Sequence, residues 1–160
     1  MKLRIEIKWA LILIVSSLLW MVLERAVGLH DVYLEKQMYL TNLFFIVVIW
    51  LYVVALKDKK KNFFGGEMTY MQGFVTGLII TAIVTLFSPL TQWIISTVIT
   101  PHYFDNVIKL SVETGYYKTT EEAQAFFNLE NYMKQSTFGT LGMGVVLSAI
   151  IAFFVKTKSR

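Results

Sequence analysis

Residues 69–100 carry no charged side chain, and this run constrains the fold of the chain more than any other feature. As an unbroken helix at 1.5 Å per residue it would be about 48 Å long, more than the ~30 Å hydrocarbon core of a bilayer. Such a segment must tilt, project or bend. Pro89 lies inside it, lacks a backbone N–H and crowds the carbonyl of Thr85, so a kink is expected over residues 85–88. Gly73, Gly77, Thr81 and Thr85 recur every four residues along the same run. In lipid a stripe of small side chains lets a second helix approach closely, because packing rather than hydrophobicity drives association there. A water-lined path along the threonines is the competing use of the stripe.

The rest of the chain repeats the theme. Hydrophobic residues make up 56% of it and charged ones 16%, the latter against about 25% in an ordinary soluble domain. Three further apolar blocks complete four expected spans, at about residues 5–27, 38–56, 69–100 and 138–155. In the first, Lys8 is expected to snorkel. Its basic start and the Ala26-Val27-Gly28 triplet resemble a cleavable signal peptide. Glu24 and Arg25 just before that triplet, and the apolar chain beyond, favour a retained span. In the second, Tyr39, Trp50 and Tyr52 suit the two interfaces. In the fourth, Gly144, Ser148 and Ala152 form a small-residue stripe like that of the third, so these two spans are expected to pack together.

Between the third and fourth spans, residues 101–137 are polar enough for water. Thr100-Pro101 reads as an N-cap with proline at the first helical position. A short amphipathic helix follows, with Gly115 as its left-handed stop. Thr119 to Glu122 offers a capping box for a second helix that continues past Met133. The expected architecture is all-α: one membrane domain over residues 1–160, a four-helix bundle with an extracytoplasmic helical hairpin.

Orientation follows from the basic residues. Lys2, Arg4 and Lys8, the lysines 57, 59, 60 and 61, and Lys156, Lys158 and Arg160 account for ten of the 15 lysines and arginines. The positive-inside rule therefore places both termini and the 57–61 run in the cytoplasm. Lys57, Lys59, Lys60 and Lys61 are expected to anchor the chain at the anionic leaflet. The net charge of +4 is thereby read as a membrane signal, with no nucleic-acid partner.

Catalytic signals are missing. With no cysteine in the chain, disulfides, thiolate metal sites and cysteine nucleophiles are excluded. No phosphate loop, nucleophile elbow or His-Glu-x-x-His motif is present. His30 and His102, with Asp31, Glu35 and Asp105, lack the spacing of a metal site and are read as interfacial polar residues. Glu24 and Arg25 are expected to snorkel to the headgroups, and Asn42 and Gln92 to bridge helices. No catalytic, cofactor or metal residue is assigned.

The run Gly66-Glu67-Met68-Thr69-Tyr70-Met71-Gln72-Gly73-Phe74 with Gly77, followed by Ile99-Thr100-Pro101 and Tyr103-Phe104, resembles the bacterial membrane family catalogued as domain of unknown function 4199. Thr100 stands where that family usually carries an acidic residue. The resemblance extends over essentially the whole chain and implies four helices in a bacterial inner membrane. It implies no activity. The expectation is a non-enzymatic protein without cofactor, acting as a scaffold, accessory or regulatory subunit through a membrane-protein partner or a second copy. Two alternatives remain: an oligomeric transporter or channel along Thr81, Thr85, Ser88 and Gln92, and a lipid-modifying enzyme built on His30, Asp31, His102 and Asp105.

Overall fold

A computed structural model describes residues 3–157, and the regular structure among them is all helix, joined by turns. Lys2, Lys158 and Arg160, which enter the charge count, lie outside the described residues. The elements are α1 (Arg4–Ala26), α2 (Leu34–Leu40), a 3₁₀ turn (Thr41–Leu43), α3 (Phe44–Asn62), α4 (Tyr70–Ile94), a π turn (Ile95–Ile99), α5 (Tyr103–Glu113), α6 (Thr120–Phe126) and α7 (Leu129–Val155). Four helical segments are long and apolar enough to cross a membrane: Arg4–Ala26, Leu34–Asn62, Tyr70–Ile99 and Leu129–Val155. The chain is a multi-pass membrane protein.

Two spans are longer than their apolar blocks. The second begins at Leu34 and continues through the lysine run to Asn62, so that run is helix, not loop. Lysine is a good helix former, and a polar run at a membrane interface gives a helix no reason to stop. The fourth span begins at Leu129 because α6 ends at Phe126 and Asn128 caps a new helix. The Asn128 side chain accepts from the Asn131 N–H at 2.9 Å and donates back to the Gln124 and Ala125 carbonyls. The second polar helix expected to continue past Met133 is thus only the short α6, and residues 129–137 belong to the last span. At the start of α6, Thr119 accepts from the Glu122 N–H at 3.2 Å, while the Glu122 carboxylate takes the Lys118 N–H one residue early.

Pro89 sits inside α4 without ending it. The Thr85 carbonyl that loses its usual donor accepts instead from the Ser88 hydroxyl at 2.9 Å. The helical repeat changes later, at the π turn, where the Thr100 N–H and hydroxyl both donate to the Ile95 carbonyl, at 2.8 and 3.0 Å. Thr100 therefore closes α4's span and does not cap α5, contrary to the expectation from Thr100-Pro101. Position 102 holds the N-cap of α5 and makes no side-chain capping bond. Gly115, at φ +73°, ends α5 in the left-handed region.

The end of the bundle bearing the lysines is laced together. Thr69 and Gln72 form a capping box at the start of α4. Met68 exchanges two 2.8 Å hydrogen bonds with Thr157 beyond α7, and Lys60 donates to the Val155 carbonyl at 3.0 Å. Between the two ends, Ala10 and Leu13 of α1, Leu51, Tyr52, Ala55 and Leu56 of α3, Ile80 of α4, and Leu147 and Ile151 of α7 form the core.

Candidate functional site: the α4–α7 seam, its lateral cleft and the buried carboxylates of α1

The two small-residue stripes face each other. α4 and α7 run antiparallel with Gly73 against Ala152, Gly77 against Ser148 and Gly144 against Thr81. Each step of four residues up α4 is matched by four down α7, and the register carries on to Ser88, whose hydroxyl reaches Thr137 Oγ1 at 3.1 Å. A Cβ placed on Gly77 would lie 2.5 Å from Ser148 Oγ, and one on Gly144 would lie 2.5 Å from Thr81 Oγ1. Those distances are well inside van der Waals contact, so backbone and side chain touch with nothing between them.

A hydroxyl cluster closes the seam at mid-span. Thr81 Oγ1 donates to the Gly77 carbonyl at 2.9 Å, and Ser148 Oγ donates to the Gly144 carbonyl at 2.6 Å. Each hydroxyl has one proton. Thr81 has spent its own, so Tyr52 of α3 is the donor in the 2.8 Å Tyr52–Thr81 bond. Thr81 and Ser88, two of the four residues on the suggested transport face, are thus turned into the protein. Gln92 donates to Ser96 within its own turn and Asn42 to Met38, so neither bridges helices. The Thr85 hydroxyl is buried without a partner.

Beside the seam a lateral cleft of about 330 Å³ opens between α3 and α7. Phe44, Phe45 and Val48 form one wall; Ser136, Gly139 and Thr140 lie on the other. Gly139 and Gly142 on α7 have no atom within 4 Å of where a Cβ would be. Unlike Gly77 and Gly144, they present bare backbone outward.

Helix α1 carries a carboxylate at each end of its inner face. Glu6 and Glu24, each 1% exposed, are five helical turns apart, about 27 Å along the axis. Glu6 Oε1 pairs with Lys59 Nζ at 2.8 Å, and that ammonium also lies 3.6 Å from the centroid of the Phe63 ring. Lys59 is 3% exposed, so it is not one of the headgroup anchors expected from the lysine run. The cause is periodicity: with α3 helical to Asn62, Lys59 falls on the face of Tyr52, Ala55 and Leu56. Lys57 and Lys61 are exposed. Lys8 and the Trp9 indole converge on Asp58, a second link between α1 and α3.

Glu24, expected to reach outward, is turned in. It accepts from the Trp20 indole, and Oε2 lies 3.0 Å from His30 Nε2. His30 is 4% exposed, and its carbonyl accepts from Asn106 of α5 at 3.0 Å. Arg25 donates to the Ile99 carbonyl in the π turn. Tyr103 stands edge-on to His30 and donates to Gln37 at 3.0 Å. Burial pushes the Tyr103 hydroxyl's pKa up. Asp31, Glu35, His102 and Asp105 are exposed, whereas His30 is buried. Among the described residues no three histidine or carboxylate side chains gather as metal ligands.

The sequence reading missed Glu6, Lys59 and the inward turn of Glu24. One signal was there: Glu6 and Glu24 share a face with Ala10 and Leu13 at helical spacing.

No curated protein and no solved structure is significantly similar to the chain. Residues 8–157 match the model of a family described as protein of unknown function, DUF4199. With nearly its whole length matched, a span arrangement in keeping with a membrane family, and no motif pointing elsewhere, the chain belongs to the DUF4199 family.

Proposed function

We propose that this protein works by helix association in a bacterial inner membrane, as an accessory or scaffold subunit, with both termini cytoplasmic. The excess of lysine and arginine at one end supports that orientation. One observation carries the association reading. The α4–α7 seam is already closed by its own chain, yet α7 offers a second glycine pair, Gly139 and Gly142, to open space beside the lateral cleft. Bare backbone next to a concave, aromatic-walled surface is what a close-packing transmembrane helix seats against. The occupant proposed is a helix of a membrane-protein partner.

The test is photo-crosslinking from position 143, which lines the cleft, in native membranes, with and without Gly139→Leu. A protein adduct that disappears in the variant, while the variant's thermal stability is kept, supports the reading. Adducts to lipid alone, or a protein adduct unaffected by Gly139→Leu, refute it. An adduct to a second copy of this chain redirects the association to a homo-oligomer and refutes the partner assignment.

A further inference from the structure

At the lysine end a pocket of about 300 Å³ opens among the start of α1, the end of α3 and the start of α4. Its lining divides into two zones. Leu3, Met71, Val75 and Ile79 make an apolar slot that follows α4 along the span. Glu6 and Lys59 form its polar head beside Phe63, near the ends of their helices and so at headgroup depth, and Gln72 and Thr76 of α4 complete the polar part of the lining.

Glu6 is the telling residue. Oε1 is paired with Lys59, but Oε2 is buried without any hydrogen-bond partner. A shielded carboxylate oxygen without a donor bears the full desolvation penalty of that atom. The pocket that Glu6 lines therefore calls for a ligand supplying at least one N–H or O–H donor. The apolar slot calls for a hydrocarbon tail on the same molecule.

We infer that this pocket binds a phospholipid with a protonated amine head, its ammonium donating to Glu6 Oε2 and one acyl chain lying along Leu3, Met71, Val75 and Ile79. Phosphatidylethanolamine has this chemistry. At the mouth of the pocket the Leu3 and Phe63 side chains are exposed. This site is at the opposite end of the molecule from Glu24 and His30, and it does not depend on the association reading.

The test uses the wild-type full chain, purified in mild detergent and stripped of lipid, with binding read by native mass spectrometry. The probes form a headgroup series: phosphatidylethanolamine, its N-methyl and N,N-dimethyl forms, phosphatidylcholine, and phosphatidylglycerol, all with the same chains. The first three keep an N–H and are expected to bind alike. Phosphatidylcholine keeps the positive charge but has no donor, and is expected to bind on the order of tenfold more weakly, the loss of one charge-assisted hydrogen bond. Equal binding of phosphatidylcholine, or preference for phosphatidylglycerol, would overturn the inference. As a second arm, Val75→Trp fills the slot and leaves the ion pair untouched. It is expected to abolish the headgroup preference at unchanged melting temperature; a preference that survives would place the lipid elsewhere and overturn the assignment.

Discussion

Replacing Gly77 by alanine adds one methyl group at the tightest point of the α4–α7 seam. That carbon would lie 2.5 Å from Ser148 Oγ, 2.6 Å from Ser148 Cβ and 3.1 Å from Ser148 Cα. Comfortable contacts between such atoms are about 3.5–4.0 Å, so the helices must separate locally by about 1 Å. Rotating the Ser148 side chain cannot relieve the clash, because Cβ and Cα move only with the backbone. Overpacking of this kind costs about 1–3 kcal/mol, and opening the seam also strains the Tyr52–Thr81–Gly77 hydrogen bonds, each contributing about 1 kcal/mol. Alanine's better helix propensity returns up to about 1 kcal/mol, leaving a net loss of about 1–3 kcal/mol. Ser148→Gly removes two of the three clashing atoms and leaves Cα at 3.1 Å. The double variant Gly77→Ala/Ser148→Gly should therefore be more stable than the sum of the single effects by at least about 0.5 kcal/mol. Equilibrium unfolding in mixed micelles, followed by tryptophan fluorescence, measures all four species of the cycle. Gly142→Ala is the control, since its Cβ enters open space; it should be neutral or slightly stabilising. A Gly77→Ala protein as stable as the wild type, or a cycle with zero coupling, would refute the claim that backbone contact holds this seam.

Removing one partner of the buried Glu6–Lys59 pair, by Glu6→Leu or Lys59→Met, should cost about 3–5 kcal/mol, whereas the double replacement should recover most of it, because two uncharged side chains leave no unpaired charge; additive losses in the same micelle assay would contradict this. At alkaline pH the raised Tyr103 pKa predicts a defined window. The neutral phenol is the form the fold favours, so its contribution is whole below about pH 10, the unfolded value, and is lost as pH rises through the higher folded value. Melting temperature measured against pH should fall less steeply above pH 10 in Tyr103→Phe than in the wild type; superimposable slopes would exclude Tyr103 as the titrating group.

Much of the seam is legible in the amino-acid sequence. Gly73, Gly77 and Thr81 on one span and Gly144, Ser148 and Ala152 on the other repeat every four residues, and in lipid few things besides helix contact call for such a pattern. The Pro89 expectation was half complete. Loss of the donor to Thr85 follows from proline chemistry, but its replacement by the Ser88 hydroxyl, and the π turn farther along at Ile95–Ile99, depend on how the span is packed. The second and fourth spans were read too short, since hydropathy reports where lipid stops and not where helix stops. Lys59 is the clearest case: in the sequence it is one of a run of basic residues, and only a helix continuing to Asn62 turns it inward.

By itself the sequence determined that the chain has four helical segments apolar enough to cross a membrane, and which faces of the third and fourth are narrow enough to meet. Both follow from local rules: the bilayer demands an internally bonded backbone over a set length, and a helix displays every fourth residue on one side. Tertiary structure decided the partners. That Glu6 takes Lys59, and that Gly139 and Gly142 remain uncovered while Gly77 and Gly144 are filled, are matters of which helix stands beside which. Those choices are made between residues up to scores of positions apart, where side-chain fit and the cost of an unpaired buried charge outweigh any preference encoded along a single span.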